Sequence, residues 1–226
     1  MLVQIPNFLS KSQVEECCNL LEEANWVDGK STAGHQAIKA KHNLQLPQDS
    51  ALSNELGNFI LSTLATSQTF MAATLPNKIY PPMFNCYQAG GTFGDHVDNA
   101  IRKIPNSPVK IRTDISMTLF LSEPESYEGG ELIIQDTYGE QRIKLAAGDM
   151  VIYPSTSLHQ VSPVTSGRRL ASFFWLQSLV RSDEQRRILF DLDNSIQALT
   201  TQDSNQTELV RLTGVYHNLL RQWSET

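Results

Sequence analysis

Residues 147–178 read AGDMVIYPSTSLHQVSPVTSGRRLASFFWLQS. Three runs inside this stretch, DMVIYP, HQVSPV and RRLASFFWLQS, are short, rich in β-branched and aromatic residues, and parted by Pro154-Ser155 and Ser166-Gly167. Runs of that length with turn residues between them predict strands rather than helices. The same pattern extends upstream through MFNCYQ (83–88), TDISMTLFLS (113–122), GELIIQD (130–136) and QRIKL (141–145). Pro81-Pro82, Gly90-Gly91, Pro105-Asn106, Gly129-Gly130, Gly139 and Gly148 punctuate it, each supplying a fixed or permissive backbone angle where a strand must reverse. Many short strands joined by tight turns predict a sandwich or a barrel.

Outside this block the period is helical, which makes the chain α+β. Ser10 caps a first helix with Gln13 reaching back, and Val14, Cys17, Cys18 and Leu21 share one face, so both cysteines read as packing residues. A second helix follows Asp49-Ser50, with Leu52, Leu56, Phe59, Ile60 and Leu64 on its stripe. After Val180, Ser182 and Gln185 form a capping-box signature. Ile188, Leu189, Leu192, Ile196 and Leu199 make one stripe, and Leu209, Leu212, Tyr216, Leu219 and Trp223 a second, across the polar link TTQDSNQ at 200–206. The expected organisation is a helical and extended segment at 1–79 packing on the core, a β core at 80–179, and a C-terminal helical hairpin at 180–226. That hairpin is too small to fold alone and is expected to dock on the core, as a stabiliser or as a substrate-shaping or oligomerising element.

With 226 residues, 40% of them hydrophobic and 19% charged, the chain can build a sizeable core and is not disordered. A net charge of −6 with no long basic run argues against a nucleic-acid partner. The three cysteines, two of them adjacent and none in a CxxC pair, suggest neither a disulfide framework nor a zinc clip, and point to a reducing compartment. No signal-peptide pattern and no run of 18 apolar residues is present, so a cytoplasmic location without membrane contact is expected.

The polar group that stands out is His96-Val97-Asp98. Residues two apart in extended chain point to one side, so an imidazole and a carboxylate can converge on one ion. An HxD triplet alone is weak and needs a third ligand. His159, at the start of the strand after Tyr153-Pro154-Ser155, supplies a candidate; its alternative is a hydrogen-bonded core histidine. Two histidines and a carboxylate on one face leave open positions on an octahedral Fe(II). Arg169 discriminates between readings. It lies ten residues beyond His159 and begins a strand in which Ala171, Phe173 and Trp175 share its side, so its guanidinium needs a carboxylate partner there. A bound dicarboxylate would serve, as would a protein Asp or Glu, and the reverse register would turn Arg168 inward instead.

NCYQAGGTFGDHVD (85–98), YEGGELII (127–134), AGDMVIYPSTSLHQVSPV (147–164) and SGRRLASFFWLQS (166–178) resemble the Fe(II)/2-oxoglutarate dioxygenases of the prolyl 4-hydroxylase type, and with the helical tail the bacterial PKHD-type hydroxylases. The resemblance covers nearly the whole chain and is strongest from Pro82 to Ser178. It implies a double-stranded β-helix (jelly roll) with helices packed on the outer face of one sheet. It also implies iron ligands at His96, Asp98 and His159, with Arg169 on the distal carboxylate of 2-oxoglutarate. Tyr87 falls where relatives place a tyrosine contacting the co-substrate, though a strand tyrosine is more often core. The implied reaction hydroxylates an aliphatic C–H of a peptidyl proline or a small metabolite with release of succinate and CO2, and ascorbate (vitamin C) is the implied reductant. A homo-oligomer is compatible with the amphipathic tail.

Arg102-Lys103 through Lys110-Arg112 reads as a basic loop that could line the mouth of the site, or as a plain solvated connection. Met83, Met117 and Phe120 read as core, and His35, His42 and His217 as surface or structural residues. Two rivals remain at this stage. One is a cupin-like metal-binding isomerase, which would explain the three ligands but not Arg169. The other is a non-catalytic iron or 2-oxoglutarate sensor acting through the C-terminal hairpin.

Overall fold

A computed structural model describes residues 1–32, 40–137, 139–202 and 205–225; His35 lies outside them. The N-terminal part contributes β1 (Val3–Ile5), α1 (Lys11–Glu22), β2 (Val27–Asp28), β3 (Lys41–His42), β4 (Leu44–Gln45), α2 (Ala51–Thr66), α3 (Gln68–Thr74) and β5 (Pro76–Ile79). The middle contributes β6 (Met83–Tyr87), β7 (Thr92–His96), β8 (Ile101–Lys103), β9 (Lys110–Arg112), β10 (Ile115–Phe120), β11 (Tyr127–Gly129), β12 (Leu132–Asp136), β13 (Gly139–Ile143), β14 (Met150–Pro154), β15 (His159–Val161), β16 (Val164–Gly167) and β17 (Arg169–Ser178). The chain closes with α4 (Asp183–Thr201) and α5 (Gln206–Trp223).

Among the described residues the strands form a larger sheet in the order β1-β14-β10-β17-β6-β4-β2, with β5 also paired to β17, and a smaller sheet in the order β13-β12-β15-β7-β3. Every pairing is antiparallel. This is the expected jelly roll, and the period of two along its strands explains how it is filled. On β14, Met150 and Ile152 face the helices while Val151 and Tyr153 face the smaller sheet; on β10, Ile115, Met117 and Leu119 face outward and Phe120 inward. Both faces of the larger sheet are therefore covered, so its central strands are buried at nearly every position instead of alternating with polar residues.

The helices covering the outer face form for the reasons their sequences suggest. Ser10 accepts a hydrogen bond from the Gln13 amide, and the Gln13 side chain accepts one from the Ser10 amide, which closes a capping box. Val14, Cys17 and Leu21 are then buried together with Leu56, Ile60 and Leu64 of α2, which Ser50 caps. Burial pushes the Cys17 thiol up to about 11, in keeping with a packing role. At the other end Leu189 of α4 and Tyr216, Leu219 and Trp223 of α5 pack on Leu75 and Val180, whereas Ile188, expected on the stripe, is half exposed. Ser182 caps α4 by accepting from the Gln185 amide.

One expectation changes. The basic segment after the HxD pair is not a flexible loop: Ile101 pairs with Arg112 and Lys103 with Lys110, making β8 and β9 a hairpin. Its Arg102 lies 4.0 Å from the Trp175 ring centre and 5.1 Å from that of Tyr80. These cation–π contacts fix a side chain that composition alone reads as solvated.

Candidate metal centre

The site is built where the smaller sheet meets the inner face of the larger. β15 pairs with β7 so that His159 stands directly opposite His96, and cross-strand neighbours of this kind bring their side chains into contact. The two imidazole centres are 4.2 Å apart. Asp98, just past the end of β7, places Oδ2 3.7 Å from His159 Nε2, and one ligating atom from each of the three residues lies within 4.8 Å of the others. The donor set is two imidazole nitrogens and one carboxylate oxygen, which suits an Fe(II)-like ion that keeps positions open.

Local backbone presets each donor. His96 Nδ1 lies 2.8 Å from the Gly94 carbonyl and His159 Nδ1 lies 3.0 Å from the Ser157 carbonyl. A carbonyl only accepts, so both rings carry their proton on Nδ1 and present the Nε2 lone pair. Burial, and then His159 beside it, push the His96 imidazolium down to about 4, which keeps the ring neutral and able to bind a metal near neutral pH. Ser116 Oγ donates to Asp98 Oδ2 at 2.7 Å and stands 2.7 Å from Ser155 Oγ, so Ser155 donates to Ser116. Ser116 reaches the carboxylate because even positions of β10 point inward, while Ser155 closes the strand that pairs with it.

Arg169 begins β17 opposite Tyr87 of β6. It is 1% exposed, with its guanidinium carbon 5.3 Å from the Tyr87 ring centre and 5.2 Å from that of Phe120. Gly130, at φ 64°, leaves the space; a Cβ there would come within 3.0 Å of Arg169 Cδ. Among the described residues no carboxylate makes an ion pair with Arg169, and its Nε and Nη1 have no aligned hydrogen-bond partner, although the Tyr127 hydroxyl lies beside the guanidinium. Arg168 points the other way, donating from Nε to Cys86 Sγ at 3.1 Å and lying over Trp26. The reverse register is thus not the one adopted. Tyr87 is fully buried, and burial raises its phenol, so its hydroxyl stays protonated.

One cleft, of about 750 Å³ when the open solvent at its mouth is included, joins these groups. His96, Asp98, His159, Tyr87 and Arg169 all line it. It also contains residues without a sequence signal: Lys41, Asn43, Asn85, Ser116, Thr118 and Tyr153. The Asn43 amide and Asn85 Oδ1 are buried without an aligned hydrogen bond, although Asn43 lies beside the Tyr87 hydroxyl. Lys41, Asn43 and Gln45 sit on two-residue strands and their link, elements too short for any periodicity. Of the residues expected to be core, Met117 packs toward the helices, Phe120 lies between the sheets, and Met83 sits beside Trp175. His42 and His217 lie outside the cleft.

The signature of the 2OG-Fe(II) oxygenase superfamily matches residues 82–177, and that of the PKHD-type hydroxylase C-terminal domain matches residues 183–225. A PKHD-type hydroxylase of Saccharophagus degradans is 65% identical over 226 residues, covering all of both chains. Another, of Pseudomonas putida, is 57% identical over 225 residues, again with full coverage of both. Among solved structures, a Pseudomonas putida prolyl-4-hydroxylase superposes with a TM-score of 0.52 at 19% identity, over 78% of this chain and 92% of that one, a likeness of fold.

Proposed function

The chain belongs to the PKHD-type hydroxylase family within the 2OG-Fe(II) oxygenases, and on that premise we propose how its residues carry the reaction and on what kind of bond it acts. His96, Asp98 and His159 hold Fe(II), Arg169 holds the distal carboxylate of 2-oxoglutarate, and the product is a hydroxylated aliphatic carbon of a small metabolite or a peptidyl proline. Arg169 carries the reading. A guanidinium sealed between aromatic rings with unpaired donors is expensive to leave unanswered, and a bidentate carboxylate answers it.

When bound, Fe(II) and 2-oxoglutarate supply the oxidising power: the keto acid is decarboxylated to succinate and CO2 as dioxygen is reduced, and one oxygen atom enters the substrate. The chain supplies placement. The Gly94 and Ser157 carbonyls hold both imidazoles with Nε2 toward the ion. Ser116 holds the Asp98 carboxylate. The Tyr87 hydroxyl, kept protonated by burial, serves as a second donor to the carboxylate on Arg169. Phe93 stacks on His96 at 3.6 Å between ring centres and shields that ligand from water. Ascorbate fits this scheme as the reductant that restores Fe(II) after a cycle without substrate.

A cupin-like isomerase gives Arg169 no carboxylate to hold, and a sensor needs no turnover. Conversion of 2-oxoglutarate to succinate separates these readings. The purified protein is expected to release succinate with matching dioxygen uptake only when Fe(II) is added, and His159→Ala is expected to abolish it. Succinate formation by His159→Ala equal to wild type would refute the ligand assignment.

A further inference from the structure

Tyr127 opens the YEGGELII run at 127–134 and is 3% exposed. A phenol so buried normally finds a hydrogen-bond partner, yet its hydroxyl has none aligned among the described residues. What lies beside that hydroxyl is the Arg169 guanidinium. The two side chains meet across Gly130, where a Cβ would come 2.9 Å from Tyr127 Cε2 and 3.0 Å from Arg169 Cδ. Tyr127 also shares an apolar cluster with Tyr87 and Phe120, the rings that flank Arg169. Its other sides are held. β11 pairs it with Gly167, where a Cβ would come 2.7 Å from Tyr127 Cα. Lys144 donates to the Tyr127 carbonyl at 2.8 Å and keeps its ammonium 4.1 Å from the ring centre. Tyr87 and Arg169 line the cleft, whereas Tyr127 is not among the lining residues, so its route to a ligand there runs through Arg169.

An arginine carries donors only, so the contact runs one way: the guanidinium donates and the phenol oxygen accepts. Burial raises the Tyr127 phenol against the pull of the Arg169 charge, so the oxygen is held as a hydroxyl. Glu131, whose charge also reaches Tyr127, is paired with Arg142 at 3.0 Å. A planar fork that must meet both oxygens of a carboxylate binds better when its orientation is fixed beforehand. We propose that Tyr127 is a positioning residue for the co-substrate: its hydroxyl accepts from the Arg169 guanidinium and fixes the plane in which the remaining N–H groups meet the distal carboxylate of 2-oxoglutarate. The inference rests on the assignment of Arg169 to that carboxylate given above.

The test is an anaerobic titration of the Fe(II)-loaded protein with two keto acids, read by the visible charge-transfer band. One is 2-oxoglutarate; the other is 2-oxovalerate, which ends in a methyl group where 2-oxoglutarate carries its distal carboxylate. Wild type is expected to prefer 2-oxoglutarate by at least ~10-fold. Tyr127→Phe removes one oxygen and keeps the ring. It is expected to weaken 2-oxoglutarate by about 5-fold, the scale of one hydrogen bond to a charged group, and to leave 2-oxovalerate within about twofold of wild type. In an Arg169→Met background the same substitution should change neither probe by more than about twofold, because the group it acts through is gone. A purely structural tyrosine would weaken both probes alike, and that result overturns the inference. So does an unchanged preference in Tyr127→Phe, or a loss of equal size with and without Arg169. A preference that Arg169→Met leaves intact removes the assignment beneath the inference and the inference with it, an outcome distinct from an Arg169-dependent preference that ignores Tyr127. Each preference is a ratio within one protein, so a partly destabilised variant still reads it.

Discussion

At the residue scale, the candidate site divides into groups whose spacing is local and groups that only the fold brings together. His96 and Asp98 are two apart, and Arg169 follows His159 by ten, so short-range patterns expose them. Ser116 is 18 residues from Asp98 and reaches it only because β10 turns its even positions inward, and nothing in TDISMTLFLS marks one serine as special. Lys41 and Asn43 are hidden for the same reason. Ser116 is predicted to matter for metal rather than for folding alone. Ser116→Ala leaves Asp98 without its hydroxyl donor and is expected to weaken Fe(II) binding by about 10–100-fold, the usual cost of losing a partner that orients a ligand. Competition with a chelator of known affinity measures it. An affinity within about twofold of wild type would mean that the backbone alone orients the carboxylate.

At the scale of elements, the strands of the larger sheet were legible because their β-branched and aromatic runs are bounded by Gly and Pro. Which face each residue takes was not, since strands buried on both sides lose the alternation that reveals register. Arg169 rather than Arg168 turns inward through pairing with Tyr87 on β6. The β8–β9 hairpin leaves no periodic signal in the sequence because three-residue strands flank a turn rich in proline and polar residues, and a cation–π contact with Trp175 on a distant strand fixes its Arg102. Gly130 ties the β11–β12 connection to the pocket around Arg169. At φ 64° its Cβ would sit 2.9 Å from Tyr127 and Val164 side-chain atoms and 3.0 Å from Arg169 Cδ. Gly130→Ala is therefore expected to destabilise the protein by about 1–3 kcal/mol and to raise the 2-oxoglutarate concentration needed for half-saturation. Denaturant melts and binding titrations check the two effects. A variant as stable as wild type with unchanged binding would show that this pocket adapts freely.

At the scale of the whole molecule, the C-terminal hairpin packs its apolar faces on Leu75 and Val180, and Arg186 ties α4 to the segment that leads into it. Arg186 is 2% exposed; its Nη1 donates to the Val180 and Arg181 carbonyls at 2.7 and 2.8 Å, and its Nη2 to Asp183 at 3.0 Å. Asp183 also meets the N-terminal amine, and Glu225 at the far end pairs with Arg112 of β9 at 2.8 Å, so the hairpin touches both the start of the chain and the hairpin beside the cleft. In the sequence Arg186 is only half of a basic pair. Arg186→Met leaves buried carbonyls unpaired and is expected to cost about 2–4 kcal/mol, with amide exchange in α4 and α5 rising before that of the sheets. Exchange rising uniformly over the chain would mean that hairpin and core unfold as one unit.

All these scales converge on one claim, that His96, Asp98 and His159 hold a metal to which Arg169 delivers 2-oxoglutarate. Its most direct test is an anaerobic titration of 2-oxoglutarate into the Fe(II)-loaded protein, read by the visible charge-transfer band, with Arg169→Ala and His159→Ala alongside. The account predicts a saturable band in the wild type, a band needing about 10-fold or more co-substrate in Arg169→Ala, and none in His159→Ala. Bound iron with no band in the wild type, or an Arg169→Ala titration that overlays it, would contradict the account.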